Sequence, residues 1–252
     1  MLLHGLTATR RYVVMGSTAL ERAGHRVIAY DARGHGESDP AQPYDYPALV
    51  ADLLGVLDER GIDRAVLAGA SMGAHTAVRA ALDTPQRVAG LVLITPAFLP
   101  DEPTDLERWD ALACGLREGG VEGFVAAYRD WPQAGEPEVP AAMRATVLTV
   151  LRQRLGRHEH PEAVADVLEQ VPRSAPFDDA ADLRAIAAPT VVVASRDEAD
   201  PGHPLHVGEA WASAIPGAQL RTEDPGKSPL AWQGGQLSRV IDDLATQVTR
   251  GT

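Results

Sequence analysis

Cysteine is almost absent from the 252 residues: Cys114 stands alone, so no internal disulfide can form, and a reducing cytoplasm is the natural compartment. No apolar run approaches the roughly 20 residues of a membrane span, and no secretory leader precedes the first strand, so a cytoplasmic protein is expected. Basic residues are the minority, 23 against 35 acidic ones, for a net charge of −12. That balance argues against nucleic acid or an anionic membrane as a partner. Internal repeats and low-complexity tracts are lacking too. What is present is a chain with 45% hydrophobic residues, enough for one large core with one insertion.

The most informative stretch is Gly69-Ala70-Ser71-Met72-Gly73. Residues 64–68 before it form a short apolar run that predicts a buried strand, and residues 74–82 after it predict a helix closed by Thr84-Pro85. Strand, G-x-S-x-G, helix is the context of a nucleophile elbow. A serine at so sharp a turn has strained backbone angles, and the two glycines remove side chains that would collide there. The turn lifts the Ser71 hydroxyl off the sheet edge and points the Met72 amide at a developing oxyanion, helped by the helix dipole. The plainer alternative is a glycine-lined turn around an inert serine.

Elsewhere strands alternate with helices. Leu2-Leu3 ends a buried strand, and His4-Gly5-Leu6-Thr7 follows, a loop whose backbone amide suits a second oxyanion donor. A helix is expected over 16–23 with Gly24 as its C-cap, then a strand over 26–30 running into a loop, 31–38, that carries His35 as a structural residue. Leu49, Val50, Leu53, Leu54 and Leu57 give 46–60 helical spacing, and 88–95 is a continuous apolar run typical of a parallel strand buried on both faces. Further strands are expected over 190–195 and 218–222, and helices over 206–215 and 236–248. The pattern is α/β with right-handed crossovers: a mostly parallel central sheet with helices on both faces.

Between residues 97 and 188 the alternation stops. Helices are expected over 105–117, 121–129, 140–155 and 161–171, with Trp109, Trp131, Phe98, Phe124, Tyr128 and Phe177 among them. Such an insertion reads as a lid over the serine, dividing the chain into a core (1–96 and 189–252) and a cap (97–188). His158 and His160 flank Glu159, but i, i+2 spacing does not put ligands on one helix face, so no metal site is assigned.

Taken together, Leu3-His4-Gly5, Tyr30-Asp31-Ala32-Arg33-Gly34-His35-Gly36-Glu37-Ser38, the elbow, and Asp200-Pro201-Gly202-His203-Pro204 make the chain resemble the α/β-hydrolase family over nearly its full length. The resemblance is greatest to the small esterase, lactonase and carbon–carbon-bond hydrolase branch, which uses no cofactor and acts on small molecules. It implies Ser71 as nucleophile and the amides of Leu6 and Met72 as oxyanion donors. It also implies Asp200 as the acid, four residues before Pro204, with Asp197 and Glu198 as the other candidates. Two departures stand out. The family normally has two or more strands before the His-Gly loop, where only three residues stand here; either a longer gene or a sheet that has lost an edge is implied. And where the family places its histidine this chain has Pro225-Gly226-Lys227-Ser228, with no histidine anywhere after His206.

A serine hydroxyl needs a base within hydrogen-bond reach, roughly 2.6–3.2 Å. His203 lies on the loop with Asp200, two strands or roughly 9–10 Å from the Ser71 strand. Lys227 could serve if its neutral form were favoured, and His75 sits one helical turn past Ser71. The expected function is a serine hydrolase of a small ester, thioester or lactone, with His203 as base. The alternatives are a lyase or cyclase in which Ser71 only donates a hydrogen bond, and a silent binding protein.

Overall fold

The computed structural model describes residues 1–131, 141–196, 202–224 and 232–250, with 141–143 as backbone only. Its sheet consists of β1 (Leu2–Leu3), β2 (Ala65–Ala70), β3 (Val88–Ile94), β4 (Thr190–Val193) and β5 (Gln219–Arg221), all parallel and in that spatial order. Helices α1 (Ala19–Arg22), α2 (Tyr46–Glu59) and α3 (Met72–Asp83) come first, α4 (Leu106–Asp130), α5 (Ala141–Leu155) and α6 (Pro161–Gln170) form the insertion, and α7 (Leu205–Ala214) and α8 (Gly234–Arg250) close the chain.

Side-chain alternation along the strands divides the core in two. Leu3, Leu67, Leu91, Leu93 and Val192 face α2, α3 and α7, where Leu53 and Trp211 are completely buried. Leu2, Ala68, Val92 and Val193 face the opposite side, against Leu20 of α1 and Leu237, Ile241 and Leu244 of α8. Both faces are covered, which is why the strands are continuous apolar runs and not alternating ones.

Two expected elements contract. The segment 26–30 is reduced to one parallel bridge, Leu2 with Ala29, together with a bond from Leu2 N–H to Ile28 O of 2.8 Å. The helix expected over 16–23 shrinks to the four residues of α1, because Met15 and Gly16 before it, and Gly24 after it, all take positive φ. The bridge still fixes the topology. After β1 the chain moves outward on one side, to Ala29, and returns on the other, to β2. The carboxyl ends of β1 and β2 therefore flank the switch point, the place where open parallel sheets hold ligands. These are the ends that carry His4-Gly5 and Ser71.

Among the described residues the insertion is helical, as expected. α4 breaks at Gly120 (φ 58°, ψ −147°), so the two helices read from the sequence are halves of a hairpin. The halves touch backbone to backbone at Gly115 and Gly123, where a Cβ on either would collide with the other's carbonyl. Leu116 and Phe124 of α4, Leu151 and Leu155 of α5 and Leu168 of α6 give the insertion its own apolar centre.

Glycines in two helices make opposite predictions. Gly55 lies inside α2 with no atom within 4 Å of a Cβ built on it, so Gly55→Ala is expected to stabilise the protein by about 0.5–1 kcal/mol. At Gly73 the same Cβ would collide with Leu3 O, a backbone atom, so Gly73→Ala is expected to cost about 3 kcal/mol. Urea unfolding of the two variants measures both; equal midpoints would refute the contrast.

Candidate active site

The elbow forms as its glycines require. Ser71 sits between β2 and α3 with φ 52° and ψ −116°, a region that costs a non-glycine residue about 1–3 kcal/mol. Its N–H donates to Ile94 O at 2.9 Å, and its carbonyl accepts from Ala74 N–H at 2.8 Å and His75 N–H at 3.0 Å. At Gly69 a side chain would collide with Gly73 O, and at Gly73 with Leu3 O, so the turn closes only with glycine at both places. Ser71 is half-buried, and among the described residues its hydroxyl makes no hydrogen bond.

The loop after β1 lies against it. A Cβ on Gly5 would be 3.5 Å from Ser71 Cβ and 3.4 Å from Ala70 O. Gly5 O accepts from Ala8 N–H at 3.0 Å and from His4 Nδ1–H at 2.9 Å. The proton of His4 is on Nδ1 because Nε2 accepts from Ala32 N–H at 2.9 Å. In a planar trans peptide the Leu6 N–H points away from Gly5 O, so His4 fixes the direction of the Leu6 amide. Neither Leu6 N–H nor Met72 N–H has an acceptor among the described residues. Two unspent amides beside an unspent hydroxyl form an arrangement that can take a carbonyl oxygen as charge develops on it.

Four histidines surround this centre, and none of the four is positioned as a free base. His75 is buried, contrary to its candidacy as a base: Nε2 accepts from Ala97 N–H at 3.1 Å, and Nδ1–H donates to Tyr46 Oη at 2.7 Å. Burial, and then His203 nearby, push its pKa down to about 3. His4 is likewise pushed to about 3, by burial and then by His35. His35 is the structural residue expected, its pKa lowered by burial; Nε2 lies 2.8 Å from Leu6 O and Nδ1 3.0 Å from Arg33 O. His158, on the insertion, is lowered to about 4, by burial and then by His35.

His203 is half-buried, just before α7, close enough to His75 to act on it electrostatically. β2 and β4 are separated by β3 alone, the two-strand distance anticipated for His203. Asp197, Glu198, Asp200 and Lys227 lie outside the described residues. Among the described residues no group of three His, Cys, Asp or Glu could hold a metal ion, and no helix is long and apolar enough to cross a membrane.

Sequence reasoning missed Glu223. This buried carboxylate, just past β5, accepts from Ser195 Oγ at 2.8 Å, Arg196 N–H at 2.5 Å and Trp232 Nε1–H at 3.2 Å. Burial raises its pKa, but the bonds from Ser195, its own amide, Arg196 and Trp232 prevail and hold it below the ordinary glutamate range. It ties the end of β4, which leads to Asp200, to the end of β5, which leads to Lys227. Only the order Thr222-Glu223-Asp224 after an edge strand hinted at it.

Comparison with known proteins agrees with this fold. The family model described as alpha/beta hydrolase fold matches residues 1–133. A 2-hydroxy-6-oxononadienedioate/2-hydroxy-6-oxononatrienedioate hydrolase of Cupriavidus pinatubonensis is 34% identical over 210 residues, 80% of this chain and 69% of the relative. The enol-lactonase of Burkholderia xenovorans superposes with a TM-score of 0.71 at 25% identity, over 97% of this chain and 90% of that one. A thermophilic esterase of Thermogutta terrifontis gives 0.72 at 27% identity, over 98% and 89%.

The buried neutral histidines set an acid limit to stability. His4, His75 and His158 have folded pKa values of about 3, 3 and 4 against 6.5 ordinarily, so below pH 6.5 the unfolded chain binds protons that the folded one refuses. Stability is unaffected by these groups above pH 6.5 and falls below it, by up to about 1.4 kcal/mol per pH unit for each histidine. Urea midpoints should drop steeply between pH 6.5 and about 5, before carboxylates titrate. A flat midpoint across that range would contradict the burial of neutral rings.

Proposed function

Because the chain belongs to the alpha/beta hydrolase fold family, we propose that it is a serine-dependent hydrolase of a small carboxylic ester, thioester or lactone, acting through an acyl-enzyme on Ser71. The observation that carries this reading is the strained Ser71 turn, whose hydroxyl, like the amides of Leu6 and Met72 beside it, makes no hydrogen bond among the described residues. A turn that costs stability and leaves donors unspent is accounted for by a reaction that uses both.

In the first step Ser71 Oγ attacks the substrate carbonyl carbon and its proton passes to the base. The carbonyl oxygen becomes an oxyanion held by the Leu6 and Met72 amides. Collapse breaks the bond to the leaving alkoxide or thiolate, which takes the proton from the base, and the acyl group stays on Oγ. Water then repeats the sequence and releases the acid. We assign the base to His203, with Asp200 orienting it. His203 is supported by its place beside His75 before α7, and by the engagement of both nitrogens of His75 elsewhere. Residues 97–188 would act as the cap that selects the acyl group, and the reaction needs no cofactor. Cytoplasm is the proposed compartment.

A fluorophosphonate probe is expected to label the protein once, at Ser71, and Ser71→Ala to abolish labelling. Ester turnover without labelling would remove the acyl-enzyme. His203→Gln is expected to lower kcat by about 10²–10⁴-fold with little change in KM, and Lys227→Met to do much less. The reverse outcome transfers the base to Lys227.

A further inference from the structure

Three consecutive carbonyls of the loop after β1 each face a different histidine. Gly5 O accepts from His4 Nδ1–H at 2.9 Å, Leu6 O lies 2.8 Å from His35 Nε2, and Thr7 O accepts from His158 Nε2–H at 3.3 Å. The rings stand edge to face, with centroids 4.8 Å apart for His4 and His35 and 5.6 Å for His35 and His158. The tautomer of His158 is fixed from its other side, where Nδ1 accepts from Gly36 N–H at 2.8 Å. Two members belong to the core. The third, His158, belongs to the insertion, and its neighbour Glu159 donates its N–H to Gly36 O at 2.9 Å.

We propose that His158 is a positioning residue for the oxyanion donor: seating the cap completes the histidine ladder and so sets the Leu6 amide. A short loop has few ways to hold its peptide planes, and turning one carbonyl turns the amide on the other side of the same plane. His4 holds the Gly5–Leu6 peptide directly. His158 holds the peptide after Thr7 from the far end, with the His35 ring packed against Leu6 O between them, which keeps the Leu6 dihedrals from absorbing a rotation. Leu6 reinforces the coupling, since its side chain packs against both the apolar centre of the insertion and the cluster around Met72 and Val167. Removing one oxyanion donor typically costs about 10²–10³-fold in kcat, and misdirecting it costs part of that. The catalytic consequence rests on the proposed role of the Leu6 amide; the mechanical one does not.

The experiment replaces His158 by Ala, Asn and Gln and follows p-nitrophenyl acetate hydrolysis. Ala and Asn are expected to lower kcat roughly tenfold to a hundredfold with KM within about twofold, because neither donates to Thr7 O. Gln, whose amide reaches further toward that carbonyl, is expected to restore most of the loss. Rescue by Asn and not by Gln would mean that the histidine acts only through Gly36, and would overturn the proposal. Hydrogen exchange of the Ala8 amide, bonded to Gly5 O, gives a readout that needs no activity. It should accelerate roughly tenfold in His158→Ala while Ala74, on the elbow, stays unchanged. Unchanged Ala8 exchange overturns the ladder whether or not the enzyme turns over. Faster Ala8 exchange in a protein that fluorophosphonate never labels overturns the serine reading and leaves the ladder standing. Should no variant fold, long-range ¹H–¹⁵N spectra of the unaltered protein decide: Nδ1–H for His4 and Nε2–H for His158 are expected, and the opposite tautomer at either refutes it.

Discussion

The contact between Gly73 and the carbonyl of Leu3 governs the rest of the structure. It lets the first turn of α3 lie directly on the end of β1, so the strained Ser71 turn and the loop that follows Leu3 are built against each other. The sheet order makes this possible. With β1 and β2 adjacent and parallel, and the chain's travel across the sheet reversing between them, their carboxyl ends open into one crevice. Every group assigned to the reaction among the described residues comes from the C-terminal edge of this sheet, and so do the two unbonded amides.

Around that centre the protein places polar groups that are buried and uncharged. His4, His75 and His158 each accept a backbone N–H on one ring nitrogen and donate with the other, which leaves no room for a second proton. Burial lowers the pKa of each ring and prevails over the bonds to Gly5 O and Thr7 O, which raise those of His4 and His158. Two charged groups among the described residues organise loops nearby. Asp31 receives the N–H and guanidinium of Arg10 and so shapes the loop of residues 31–38. Glu223 does the same for the ends of β4 and β5. Among the described residues, the rigid parts of the site are thus set by dipoles.

Local features were legible in the sequence and distant ones were not. The elbow was readable because its physics is contained in five residues: a strand, a turn that excludes Cβ atoms, and a helix. The strands β2, β3 and β4 were readable as apolar runs, and the break in α4 showed in the gap between the helices expected over 105–117 and 121–129. The segment 26–30 has the composition of a strand but forms one bridge, because a ladder depends on what lies alongside. His158 could be weighed only as a metal ligand beside His160, since its partners Thr7 and Gly36 are 151 and 122 residues away. His75 looked able to reach the serine by helical spacing alone; Tyr46 and Ala97, which engage it, are brought in by α2 and by the end of β3.

The hydrogen bonds on the loop after β1 have an electronic consequence as well as a geometric one. A peptide group is conjugated, so a donor arriving on its oxygen draws electron density away from its nitrogen. His4 and Ala8 both donate to Gly5 O, and the nitrogen at the far end of that conjugated unit is the Leu6 amide. Its hydrogen is thereby made more positive before any ligand arrives. The imidazole behind the loop acts as a polariser: it strengthens a donor it never touches, and does so without bringing a net charge into the site.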